Sequence, residues 1–474
     1  MTLPNVLLVV LDSVRAANTS LHGYENETTP FLREFADRTT VYTQARTPGV
    51  HSIASHVSLF TGYHVAEHRA SDHEAVIDTD RTIWKAIGSA HGYETGLFTP
   101  NVVVTSASNP ADAFDTVKGP RRRTTPFRSA LAPGDLPGQT GYVEYLKHCL
   151  ADDQPAFALA NGIADRLSAH SSRSSEAERA DVYVDSFLDW RDQRSGPWAA
   201  CLNLMDAHYP YVPAEEYDRW GGPALRRLYA TLPPGPQPRE FLSGRPWWQL
   251  RAFEALYDGC IRQLDAALER LIVELARRGD LESTLLVVTS DHGEGFGERS
   301  RVRPDVRLID HNWGIHEALT HVPLLVSRPG STGGTRVDEP ASLTRFPAVV
   351  RSAIDGPSDH RGFVPDGPVI TSSYRVREPG AELPVPPADR ERYFGPWHAI
   401  YKRIGEGVRK ESVRRSDSAA VAIHDAQTAY RIGPGDPDRI DRVIGTLEDP
   451  EIVRSADGIN GTVERRLENL GYMR

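Results

Sequence analysis

Val6-Leu7-Leu8-Val9-Val10-Leu11 runs into Asp12, and Thr284-Leu285-Leu286-Val287-Val288-Thr289 runs into Ser290-Asp291-His292-Gly293-Glu294. Continuous Val- and Leu-rich runs of this length, without polar alternation, read as central strands of a parallel sheet buried on both faces. Ligands of open α/β sheets lie outside the carboxyl ends of such strands. Two strands that bring Asp12, Asp291 and His292 to one sheet edge would supply the mixed oxygen and nitrogen donors of a divalent-metal site.

Outward from these runs, strand and helix patterns alternate. Thr29-Pro30-Phe31 opens a short helix to Ala36, with Pro30 at its first turn. Val41-Tyr42-Thr43 reads as a strand, 52–60 as a helix with Ser52 at the N-cap and Gly62 past its end, 82–90 as an amphipathic helix, and Thr95 to Thr99 as a strand. A helix over 176–191 leads to a buried strand, Trp198 to Leu204. A helix over 255–278 carries Leu264, Leu268, Leu271 and Leu275 on one stripe and hands the chain to the strand before Asp291. The alternation predicts an α/β fold: a doubly wound, mostly parallel central sheet with helices on both faces.

Polar, Pro/Gly/Arg-rich insertions are expected near 118–141 and 233–246. Proline and glycine thicken over 355–387. This divides the chain into a catalytic α/β domain, 1–370, and a small C-terminal α+β subdomain, 371–474. The subdomain is expected to hold an antiparallel sheet that includes Ala420 to Ile423 and Thr428 to Ile432, with a closing helix at 463–470.

The composition narrows the function. The chain has 474 residues, 39% hydrophobic and 25% charged, within the range of globular enzymes. A net charge of −10 argues against nucleic acid as a partner and against a polybasic membrane surface. Three cysteines without CxxC spacing argue against a disulfide framework. No stretch approaches the roughly 20 apolar residues of a membrane helix, and no signal-peptide pattern precedes Val6, so no membrane span and a cytoplasmic address are expected. Nothing bears on oligomeric state.

Ser52, at a helix start, places a hydroxyl among backbone N–H groups at the positive end of the dipole, a setting for a nucleophile or for an ordinary N-cap. His208, in Asp206-Ala207-His208-Tyr209-Pro210, follows a buried strand, where a histidine binds an oxyanion or a metal, or packs in a Pro/Tyr-rich turn. His311 and His316 form a similar pair after a charged loop. Asp12, Ser52, His208, Asp291, His292 and His311 together suggest an anion-binding metal site, since separate strand or helix ends each supply one member.

These segments resemble the sulfatase family of the alkaline phosphatase superfamily over nearly the whole chain. The resemblance rests on Pro4 to Asp12, on Gly23-Tyr24 with Thr29-Pro30, on Ser58-Leu59-Phe60-Thr61-Gly62, and on Asp206 to Pro213. Thr289 to Gly293, His311 ahead of Val322-Pro323-Leu324, and Glu468 to Tyr472 complete it. It implies Asp12, Asp291, His292 and Ser52 as ligands of a divalent ion (Ca2+, Mn2+, Zn2+ or Mg2+) and Ser52 as the nucleophile. His208 and His311 would hold sulfate or phosphate oxygens. Apart from the resemblance, His316 is expected as an additional substrate contact and His56 as a residue that orients Ser52.

The chain departs from the family at Ser52-Ile53-Ala54-Ser55-His56, where Cys/Ser-x-Pro-x-Arg is usual, and at Ser13, where a second Asp is usual. The first departure argues against formylglycine at Ser52, the second against calcium. The expected activity is metal-dependent hydrolysis of small-molecule or glycan sulfuric esters, or of related phosphate esters. The alternatives are a phosphodiesterase or phosphonate hydrolase using unmodified Ser52, a phospho-alcohol transferase using the same serine, and a non-catalytic pseudoenzyme.

Overall fold

A computed structural model of the chain describes residues 3–71, 75–120, 127, 130–131, 142–169, 179–232, 237–331, 333–356, 359–374 and 383–455. Its centre is an eight-stranded sheet built from β1 (Asn5–Leu11), β2 (Thr40–Tyr42), β3 (Glu94–Phe98), β4 (Thr116–Lys118), β5 (Trp198–Leu204), β6 (Thr284–Thr289), β7 (Leu324–Ser327) and β8 (Thr335–Val337). The spatial order is β8-β2-β7-β6-β1-β5-β3-β4. Only β7 runs against its neighbours; every other pairing is parallel. The sheet is therefore mostly parallel, as the alternating pattern predicts.

Each face of β1 feeds a different core, which is why its sequence shows no polar alternation. Leu7, Val9 and Leu11 pack with α1 (Pro30–Phe35), α4 (Ala180–Asp192) and α5 (Trp247–Arg277). Val6, Leu8 and Val10 pack with α2 (Ser52–Thr61), α3 (Ile83–His91) and α6 (Phe346–Asp355). Burying one such aliphatic side chain stabilises the fold by about 1.5–3 kcal/mol.

The register of the three central strands places the site. Val10 of β1 lies beside Asn203 of β5 and Thr289 of β6, so all three strands end at one level. Asp12 and Ser290-Asp291-His292 emerge side by side from that edge, and Asp12 N donates to the Leu204 carbonyl at 2.9 Å. Gly293 permits the close passage that follows: a Cβ there would sit 2.0 Å from the Ala318 carbonyl oxygen and 2.9 Å from Arg15 Cβ.

Towards the C-terminus, β9 (Val369–Ser373), β10 (Trp397–Ile404), β11 (Gly407–Arg414), β12 (Asp417–Ile423) and β13 (Ala429–Gly433) form a sequential antiparallel sheet. It begins two residues before the boundary expected at 371. It also abuts the segment preceding α2, with Thr371 Oγ1 donating to the Thr47 carbonyl at 2.6 Å and Ser372 N to that of Pro48 at 2.9 Å. The expected closing helix over 463–470 and the Glu468 to Tyr472 motif lie outside the described residues, as do most of the 118–141 insertion and 233–236 of the other. Within the second insertion, Pro238–Leu242 forms a short helix. No helix among the described residues is long and apolar enough to cross a membrane.

Candidate active site

Asp12, Asp291 and His292 converge: one ligand atom from each lies within 4.8 Å of the others, and all three residues are fully buried. His292 Nδ1 donates to the Gly293 carbonyl at 2.9 Å, which leaves the lone pair on Nε2. That Nε2 stands 3.4 Å from Asp291 Oδ2 and 3.4 Å from Ser52 Oγ. Asp291 Oδ1 accepts from the backbone N–H groups of Ser13 (3.2 Å) and His292 (2.9 Å).

The two carboxylates respond differently to burial. Burial works to raise the Asp12 carboxyl, but the neighbouring His208, His292 and His56 rings outweigh it and hold it below the ordinary range. Burial and the Asp12 charge together push Asp291 well up. Neither carboxylate has a lysine or arginine ion-pair partner among the described residues. Two buried carboxylates and an imidazole lone pair without a lysine or arginine counter-charge suit a divalent ion. Asp12, Asp291 and His292 would hold it, with the Ser52 hydroxyl beside them.

Ser52 is the first residue of α2 rather than its N-cap. His51 takes the cap position with extended backbone (φ −137°, ψ 144°), and its carbonyl accepts from Ser55 N at 3.0 Å. The first-turn N–H groups and the helix dipole still face the Ser52 end. The preceding loop is pinned to the metal-ligand segment, because Thr47 Oγ1 donates to the Asp291 carbonyl and lies 3.0 Å from Ser55 Oγ.

His56 reaches Ser52 through the backbone. Its Nδ1 donates to the Ser52 carbonyl at 2.8 Å, one turn back along α2, so it fixes the Ser52 backbone and not the hydroxyl. The same Nδ1 is 3.9 Å from Asp291 Oδ2.

Above the carboxylates sits a cluster of imidazoles. The His311 ring lies 4.2 Å from His292, centroid to centroid, 5.5 Å from His208 and 5.7 Å from His51. His208 Nδ1 donates to the Tyr209 carbonyl at 2.7 Å, and burial lowers its pKa. His311 Nδ1 is in tight contact with Asp310 and 3.7 Å from Glu294 Oε2. Burial opposes a charge on His311, yet Asp310 and Glu294 prevail and raise its pKa to about 10. The ring is therefore an imidazolium at neutral pH.

His316 is not brought into this cluster. Its Nδ1 accepts from Ala318 N at 3.0 Å to cap the turn Glu317–Thr320, its Nε2 is 3.6 Å from Glu317 Oε2, and burial pushes its pKa down to about 4.

Among the residues of the site that escaped the sequence reading are His51, Thr47, and also Asn101 and Asn203, whose side-chain amides donate to Asp12 Oδ2 at 3.0 and 3.1 Å. Asn203 did carry a signal, being the one amide in an otherwise apolar strand. His51, Thr47 and Asn101 lie in loops and at turns, where no periodicity marks them.

The chain is thus an α/β protein with a mostly parallel sheet whose central strand ends carry Asp12, Asp291 and His292. The chain belongs to the Sulfatase family, whose profile matches residues 4–353. It is similar to arylsulfatase K of Canis lupus familiaris, 23% identical over 359 residues that cover 72% of this chain and 61% of that protein. It is also similar to the multifunctional alkaline phosphatase superfamily protein PehA of Trinickia caryophylli, 26% identical over 341 residues, with 63% and 64% covered. The chain thus spans less than two thirds of the length of these relatives. Among solved structures, it shares its fold with phosphonate monoester hydrolases of Agrobacterium radiobacter (TM-score 0.61, 18% identity, 88% of each chain) and Silicibacter pomeroyi (TM-score 0.61, 18% identity, 95% of this chain and 99% of the other).

Proposed function

We propose that this chain is a metal-dependent hydrolase of sulfuric esters or related phosphate and phosphonate esters, with the Ser52 hydroxyl as nucleophile. The observation that carries the reading is the 3.4 Å approach of Ser52 Oγ to His292 Nε2, inside the buried set formed with Asp12 and Asp291. A divalent ion on that set would polarise a non-bridging ester oxygen and acidify the hydroxyl.

The residues of the chain supply the rest. Ser52 Oγ, its proton passing to water, attacks sulfur or phosphorus in line as the bond to the ester oxygen breaks; water then cleaves the bond to Ser52, releasing sulfate or phosphate and restoring the hydroxyl. The His311 imidazolium neutralises charge on the equatorial oxygens, aided by His208, and one of the two protonates the leaving group. His56 and Thr47 hold the backbone on either side of the nucleophile. Ala54 and His56, standing where Pro and Arg are usual, support an unmodified hydroxyl and favour phosphate diesters or phosphonates over sulfate as a second reading.

The test is a parallel assay of an aryl sulfate, a phosphate monoester, a phosphate diester and a phosphonate monoester with Ca2+, Mn2+, Zn2+ and Mg2+. Turnover of at least one ester that requires an ion is expected; none on any pairing overturns the proposal. The intact mass of the Ser52 peptide separates plain serine from formylglycine, which is lighter by two hydrogens.

A further inference from the structure

We infer that Asn101 and Asn203 are positioning residues that orient Asp12 so that a single oxygen, Oδ1, is presented to a divalent ion. The inference rests on the metal site proposed above. Asn101 Nδ2 donates to Asp12 Oδ2 at 3.0 Å, and Asn203 Nδ2 donates to the same oxygen at 3.1 Å. A carboxylate oxygen offers about two lone-pair sites, so Oδ2 is saturated. Oδ1 receives one weaker bond, from the Ser13 hydroxyl at 3.2 Å, and keeps the remaining capacity.

Neither amide is there for the fold alone. Asn203 is fully buried in Trp198–Leu204, a strand whose other six side chains are apolar, and its own Oδ1 has no hydrogen-bond partner among the described residues. An unsatisfied buried acceptor is unfavourable, and an aliphatic side chain would not incur it. Among the described residues its side chain bonds to Asp12 alone. The arrangement also fixes the flip of the amide, since the reverse orientation would face oxygen against carboxylate.

Asn101 is fixed from the other side. Its Oδ1 accepts from Val103 N at 2.9 Å, its backbone N donates to Thr99 Oγ1 at 3.0 Å, and its Nδ2 is left to reach Asp12. The strand β5 beside β1, and the turn after β3 one strand further out, thus each contribute one neutral donor. Neutral donors constrain the carboxylate without neutralising it, so its charge stays available to a cation. Groups that hold a metal ligand in this way govern affinity as well as geometry.

Isothermal titration with Mn2+ tests this on wild type, Asp12→Ala, Asn101→Leu and Asn203→Leu, alongside thermal melts in EDTA. Wild type should bind one ion and Asp12→Ala none. Each Leu variant should bind about 10–100-fold more weakly while melting in EDTA close to wild type, a pattern that a purely structural role would not produce. Leu variants that bind as tightly as wild type overturn the inference and leave the metal site standing. Wild type that binds no ion, or Asp12→Ala that binds like wild type, overturns the metal site itself. Asn101→Ala and Asn203→Ala decide by the same measurement if a Leu variant does not fold.

Discussion

Ser52 Oγ and His292 Nε2 stand 3.4 Å apart although 240 residues separate them in the chain. The contact joins the start of α2 to the end of β6, and the parallel register of β6 with β1 brings Asp12 to the same place. A hydroxyl, an imidazole lone pair and two carboxylates share one buried volume.

Replacing Ser52 by Ala removes the nucleophile and leaves Asp12, Asp291 and His292 in place. A fall in kcat of about 10³-fold or more is expected, with Mn2+ still bound in titration. Turnover equal to wild type would remove Ser52 from the chemistry.

His311 acts through its charge. Its pKa is raised to about 10, so the imidazolium and its contribution to activity are present at neutral pH and lost as pH rises through that value. His311→Gln should lower kcat/KM by roughly 10²–10³-fold. His311→Lys, which keeps a cation, should recover part of it. Equal losses in both variants would contradict a role for the charge.

Asp291 is held at an energetic disadvantage until a cation arrives, because burial and Asp12 both oppose its charge. Asp291→Asn keeps an oxygen for the Ser13 and His292 N–H groups and removes the repulsion. The variant should melt at a higher temperature than wild type in EDTA, yet lose the stabilisation by Mn2+, which is about 2.7 kcal/mol at 100 times Kd. A lower melting temperature in EDTA would count against the repulsion argument.

His68 offers a pH test away from the site. Its Nδ1 accepts from Ala70 N at 3.0 Å, its Nε2 meets Ser58 Oγ at 2.8 Å, and burial pushes its pKa down to about 3. The folded pKa lies below the unfolded one, so the unfolded chain binds the extra proton, and stability falls with pH from about 6.5 towards 3. Between pH 6 and 5 the wild-type unfolding free energy should drop by up to about 1.4 kcal/mol more than that of His68→Gln. Parallel slopes in denaturant titrations at the two pH values would show that His68 is not the titrating group.

The parts of the fold legible in the sequence were those whose cause is local. Val6 to Leu11 and Thr284 to Thr289 are apolar at every or nearly every position because helices cover both faces, and that pattern survives without any knowledge of the partners. The helix at 255–278 begins earlier, at Trp247, because Pro246 and the Trp247-Trp248 pair open it ahead of the leucine stripe. Ser52 looks like an N-cap by residue type, yet His51 holds that position, a choice made by backbone torsion that composition does not reveal. Asn101 and His51 matter only through what they touch across the fold, and no periodicity announces such contacts. His316 was drawn in by nearness in sequence to His311, but the turn between them gives the two rings different neighbours.

The most direct measurement is an anomalous difference map from a crystal of the protein grown or soaked with Mn2+. The account predicts one strong peak bounded by Asp12, Asp291 and His292, with Ser52 Oγ beside it. A peak elsewhere, or none at an Mn2+ concentration well above the measured Kd, would contradict it.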